Sequence, residues 1–134
     1  MARGTFNDLI KIMARLRGPG GCPWDRRQTH RSLLRYLREE AGEVARAVRR
    51  KDDANLCEEL GDVLLQVVFH AQMASERRKF DIRDVVAGLC RKLVRRHPHV
   101  FGRKRLKTAA EVVVLWRELK RREKARRTRR GRRG

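Results

Sequence analysis

The sequence predicts an all-α protein: a four-helix-bundle-like core with an additional N-terminal helix, assembled as an oligomer. Three observations carry this. Apolar residues recur every three or four positions in five segments, no stretch reads convincingly as a strand, and one segment is apolar around most of its circumference. The 134 residues suffice for one domain with a modest core. Hydrophobic residues make up 40% and aromatics only 5%, which suits Leu/Val/Ala helix packing better than an aromatic-rich β sandwich.

The first segment, "TFNDLIKIMARLR", places Phe6, Leu9, Ile10, Met13 and Leu16 at helical spacing and stops at "GPGG". "CPWDRRQT" follows as a loop carrying Trp24 and Asp25. The second helix starts near Thr29 or Ser32, repeats Leu33, Leu37, Ala41, Val44 and Val48, and stops before "KDDAN". The third runs from about Ala54 to Arg77. The fourth carries Ile82, Val85, Val86, Leu89 and Leu93 and ends at "HPH", where Pro98 disfavours helix at His97. Thr108 and Glu111 in "TAAE" form a capping box for the last helix, which includes Val112, Leu115, Trp116 and Leu119. That helix is expected to dissolve into an Arg-rich tail, giving a domain over residues 1–120 and a disordered segment over 121–134.

The formal net charge is +20. From Arg117 onward there are eleven Lys/Arg against two Glu, a net of +9. Such a block is either a solvated tail or a weak nucleic-acid contact. Cys22, Cys57 and Cys90 are far apart and include no CxxC pair, which reads as reduced thiols in a cytoplasmic protein. No stretch approaches the roughly 18 apolar residues of a membrane span, and no signal-peptide core is visible.

The acids are less ordinary. At about 100° per residue, Glu40 lies at the flank of the second helix's apolar arc, Glu43 one ridge further round, and Glu39 nearly opposite. In the third helix, Leu56, Leu60, Val63, Leu64, Val67, Val68 and Ala71 cover most of the circumference, so burial in a core or an oligomer is expected. One polar stripe interrupts it: Glu59, Asp62, Gln66 and His70, with Glu58 pointing elsewhere. Two neighbouring helices therefore each present an i, i+3 acid pair, and their short connection predicts antiparallel packing. Like charges about 4 Å apart repel by roughly 4 kcal/mol at an effective dielectric of 20. Raised pKa values, an Arg or Lys partner, or a divalent cation would relieve the strain, and all-oxygen ligands suit Mg²⁺ or Mn²⁺. Ordinary helix-surface charge is the competing reading.

"EEAGE" and, fifteen positions on, "EELGD" have the form EExxE…ExxD and resemble the MazG-like nucleoside triphosphate pyrophosphohydrolases. "IMARLRGPGGCPWDRRQTHRSL", "ELGDVLLQVVFHAQMA" and "KLVRRHPHVFG" extend the likeness from about Phe6 to Lys120. The resemblance implies an all-α homodimer or homotetramer. It also implies Mg²⁺-dependent hydrolysis of nucleoside triphosphates to monophosphate and pyrophosphate, as in nucleotide-pool clean-up. It assigns the metal to Glu40, Glu43, Glu59 and Asp62, and phosphate contacts to Lys92 and Arg96, which are i, i+4 on the fourth helix. Trp116 and Lys120 match a late Trp and Lys that the family places near substrate, though Trp116 reads equally as core packing. Glu39 and Glu43 are both candidate general bases, and Trp24 and Asp25 either shape the base pocket or cap the bundle. Gly42 departs from many relatives, which carry a larger side chain there; Gly61 would let a neighbouring backbone approach. His70 reads as a satisfied core histidine or a partner of the metal ligands, and His97 and His99 as structural.

Two other function classes compete with the enzyme. A basic helical nucleic-acid-binding or interaction protein would use the Arg-rich tail, which explains the charge but not the acid pairs. A helical dimerisation module would hold a structural cation without turnover.

Overall fold

A computed structural model describes residues 4–133. These form seven helices and no strand: α1 Phe6–Arg17, α2 Pro23–Arg27, α3 Leu34–Arg50, α4 Asp53–Glu76, α5 Ile82–Arg96, α6 Pro98–Phe101 and α7 Ala109–Arg133. Two compact units meet at Val85 and Val86, within α5. No described helix is long and apolar enough to cross a membrane.

In the first unit Thr5 caps α1 in a full capping box with Asp8. The expected "CPWD" loop is instead the short helix α2, because Pro23 sits at its first turn, where a missing N–H costs nothing. α3 begins later than the spacing suggests: Thr29 and Ser32 bond each other's backbone N–H groups in a turn before it.

Lys51 closes α3 in the left-handed region at φ 54°, its N–H reaching the Ala47 and Val48 carbonyls. Asp52 then opens α4 by accepting from Asn55 N at 3.1 Å. The two residues make α3 and α4 a helical hairpin, against which α1 packs. Met13, Leu33, Val68, Phe69, Ala71, Met73 and Ile82 form the core.

The polar side of that core is organised by Arg17 in the last turn of α1. Its NH1 donates to the Asp25 carbonyl at 2.6 Å and the Gln28 carbonyl at 3.1 Å. Nε and NH2 grip Glu76 at 2.9 and 2.7 Å, and the guanidinium lies 5.6 Å from the Phe69 ring centre. One side chain thus joins α1, α2, the strap after it and the end of α4.

α4 is not buried all round within one chain. Gln66, Val68, Phe69, Ala71, Met73 and Ala74 are inside, but Leu60, Leu64 and Val67 are 51%, 39% and 40% exposed. The wheel counts apolar faces, and this chain covers only one of them.

In the second unit Pro98, expected only as a stop, also starts α6. Thr108 accepts from Glu111 N at 3.2 Å, whereas Glu111 reaches back to Lys107 N at 3.1 Å, one residue short of a regular capping box. α7 then continues as helix to Arg133, beyond the expected fraying at Lys120. Arg, Lys and Glu are good helix formers, and Arg122 pairs with Glu118 one turn back.

Candidate functional site

The helical hairpin brings one acid pair to the other. Carboxylate oxygens of Glu40 on α3 and of Glu59 and Asp62 on α4 all lie within 4.8 Å of one another, and each residue is half-buried. Partial burial, then the charges of Asp62 and Glu43, raise the Glu40 carboxyl above its ordinary value, against an opposing hydrogen bond with Glu59. Burial and then the charges of Glu43, Asp62, Glu40 and Glu58 raise Glu59.

Glu43 stands apart from these three. Arg46, one turn on, pairs with it through NH2 and donates from Nε at 3.3 Å, which holds its carboxyl below the ordinary range. Sequence reasoning asked for a basic partner without naming one; the i, i+3 spacing of Glu43 and Arg46 was the available signal. Glu39 is exposed, as the wheel placed it. A Cβ on Gly42 would rest 3.9 Å from the Arg46 guanidinium, in ordinary contact. A Cβ on Gly61 would meet open space, so among the described residues no backbone makes the close approach that this glycine would allow.

The polar stripe continues into the core. Gln66 is buried, and His70 Nδ1 lies 2.7 Å from His30 Nδ1 with the rings stacked 5.0 Å apart. One ring must donate from Nδ1 and the other accept, so the pair shares one proton. Burial, then His30, lowers the His70 pKa. His30 carries no periodic signal in the sequence, and it was missed.

Trp24 packs edge-on against Tyr36 at 5.7 Å, one turn before Glu40 on α3. Asp25 lends its backbone carbonyl to Arg17. Lys92, Arg96, Trp116 and Lys120 belong to the second unit. There the Trp116 indole donates to the Arg96 carbonyl at 2.8 Å, and its ring meets His97 edge-on at 5.2 Å. The polar end of Trp116 is therefore spent on holding the end of α5.

Arg96 NH2 and Arg95 Nε bind the two oxygens of Glu123 on α7 at 2.8 and 2.9 Å. These bonds, Arg96 first, hold the Glu123 carboxyl at about 2 against an ordinary 4.5. A depressed carboxyl adds stability that is fully present above the unfolded value and is lost as pH falls through the folded one. Urea unfolding should thus separate the wild type from Glu123→Gln at pH 7. The gap should narrow as pH drops from about 4.5 toward about 2.

The MazG nucleotide pyrophosphohydrolase domain pattern matches residues 28–101, more than half of the chain and the whole acidic hairpin. The chain belongs to this family. A Thermotoga maritima "Nucleoside triphosphate pyrophosphohydrolase/pyrophosphatase MazG" is 60% identical over 97 residues, covering 72% of this chain and 38% of that protein. The Escherichia coli K12 nucleoside triphosphate pyrophosphohydrolase is 48% identical over 118 residues, covering 87% of this chain and 45% of that protein. This chain thus spans less than half the length of either relative. The crystal structure of a mazG-related protein from Thermotoga maritima matches with a TM-score of 0.70 at 32% identity, over 86% of this chain and 98% of that one. The MazG match ends at Phe101, so all of α7, with Trp116, Lys120 and Glu123, lies beyond it.

Proposed function

We propose that the protein hydrolyses nucleoside triphosphates to nucleoside monophosphate and pyrophosphate with Mg²⁺, or Mn²⁺ in its place. The observation that carries this is the convergence of Glu40, Glu59 and Asp62 in a chain of net charge +20, with Glu40 and Glu59 raised first by burial and then by neighbouring acids. Three oxygen donors from carboxylates fit a hard divalent cation that keeps waters for substrate phosphates. When bound, Mg²⁺ supplies charge neutralisation for the phosphates and a more acidic water.

The chain's own groups do the rest. Glu40, Glu59 and Asp62 would hold the ion, and Glu43, now paired with Arg46, would be the fourth ligand. Glu39 or Glu43 takes the proton of the attacking water; the Arg46 pair lowers the basicity of Glu43. Lys92 and Arg96 stabilise charge on the phosphates, and Trp24, Asp25, Trp116 and Lys120 position the nucleotide. The open Leu60, Leu64 and Val67 face of α4 supports assembly with a second copy, as dimer or tetramer. The catalytic domain occupies residues 1–120, with the Arg-rich half of α7 as an addition to it.

The test is product identity. Each NTP and dNTP is incubated with the protein and Mg²⁺, and pyrophosphate is measured against orthophosphate. Pyrophosphate in step with monophosphate is expected; orthophosphate as the main product would overturn the assignment.

A further inference from the structure

Between α5 and the Arg-rich half of α7 lies a concave space of about 360 Å³, lined by Lys92, Arg95, Arg96, Arg126, Arg127 and Arg130, with Glu123 among them. The spacing is orderly. Positions 92, 95 and 96 share one side of α5, and positions 123, 126, 127 and 130 share one side of α7. Six cations therefore surround a single carboxylate. Among the described residues, no carboxylate lies within ion-pair distance of Lys92, Arg126, Arg127 or Arg130.

Glu123 itself is only 15% exposed and is held like a bound anion, one oxygen to each of Arg95 and Arg96. It fills the Arg96 fork incompletely: NH2 is engaged, while Nε is buried with no hydrogen-bond partner. A tetrahedral phosphate offers oxygens to both arms of such a fork.

The geometry points to a condensed-phosphate site in this hollow, built jointly by α5 and the Arg-rich extension, in which Glu123 holds the place of the anion and is displaced by it. The ligand class is a chain of linked phosphates, from the triphosphate of a nucleotide or from released pyrophosphate. A nucleic-acid backbone fits less well, because the cations converge on one concavity rather than tracking along a strand. Glu123 stays ionised throughout the physiological range, so it competes with the anion at any working pH. The inference rests on the proposed function for the nature of the ligand and shares Lys92 and Arg96 with it; Arg95, Arg126, Arg127, Arg130 and Glu123 have no role in that reading.

Binding of tripolyphosphate, pyrophosphate and orthophosphate to the full chain is measured in EDTA by calorimetry, so that neither metal nor turnover enters. Tripolyphosphate should bind at least about tenfold tighter than orthophosphate. Arg126→Gln with Arg130→Gln, both at exposed positions, should weaken it about tenfold, and Glu123→Gln should tighten it severalfold. Equal tripolyphosphate binding by wild type and the double arginine variant would overturn the inference. So would an oligothymidylate that binds and is not displaced by tripolyphosphate, which would mark a nucleic-acid track. Comparison of tripolyphosphate with pyrophosphate separates substrate from product as the source. Loss of pyrophosphate production with binding retained would sink the proposed function and leave this site standing.

Discussion

Glu59→Ala is expected to remove divalent-ion binding and lower nucleotide hydrolysis by well over about a hundredfold. Losing even an outer partner of a metal ligand costs about 10–100-fold, and Glu59 belongs to the acid cluster itself. The variant should nevertheless fold. The Glu59 carboxyl is raised by burial and by four neighbouring acids, so its charge opposes the metal-free fold. Thermal unfolding without metal should leave the variant as stable as the wild type or more so. Added Mg²⁺ should stabilise only the wild type. A variant that unfolds early, or one that keeps its Mg²⁺ stabilisation, would remove Glu59 from the site.

Arg17→Ala is expected to destabilise the protein by about 3 kcal/mol. The side chain is only 10% exposed, and its loss strands the Asp25 and Gln28 carbonyls, Glu76 and the face of Phe69 together. Glu76 is 37% exposed, so water recovers part of the loss, which keeps the figure below that of a fully buried pair. Arg17→Lys should fall between the two, because an ammonium keeps the charge but cannot span the carbonyls and the carboxylate. A shift in the urea midpoint corresponding to less than about 0.5 kcal/mol would mean that α1 and α2 are held by other contacts.

The helices were legible because apolar spacing marks one face per helix, although within this chain Val48 of α3 and Val86, Leu89 and Leu93 of α5 stay exposed on theirs. The short helices α2 and α6 were not, since each is a single turn set by a proline at its start rather than by periodicity. The acid pairs were legible for the same reason as the helices: spacing fixes the face. Rotation paired Glu40 with Glu43 and Glu59 with Asp62, and the short connection predicted that the pairs meet, but a wheel carries no side-chain torsions. It could not show that Glu43 turns to Arg46. Nor could it show Glu123 between two arginines, a contact spanning 27 and 28 residues in a segment whose charge reads as a solvated tail.

The Lys51–Asp52 turn limits how the acid cluster can change. Glu40 lies eleven residues before Lys51, and Asp62 eleven after it, roughly 16 Å along each arm at 1.5 Å per residue. Equal arms bring the two carboxylates to one level, so the turn acts as a ruler for the site without touching it. Its side chains are free to vary wherever they keep the left-handed residue and the cap; its length is not. One inserted residue would shift α4 by a step and rotate it by about 100°, swinging Glu59 and Asp62 away from Glu40. Here the chemistry constrains a count of residues more tightly than it constrains their identity.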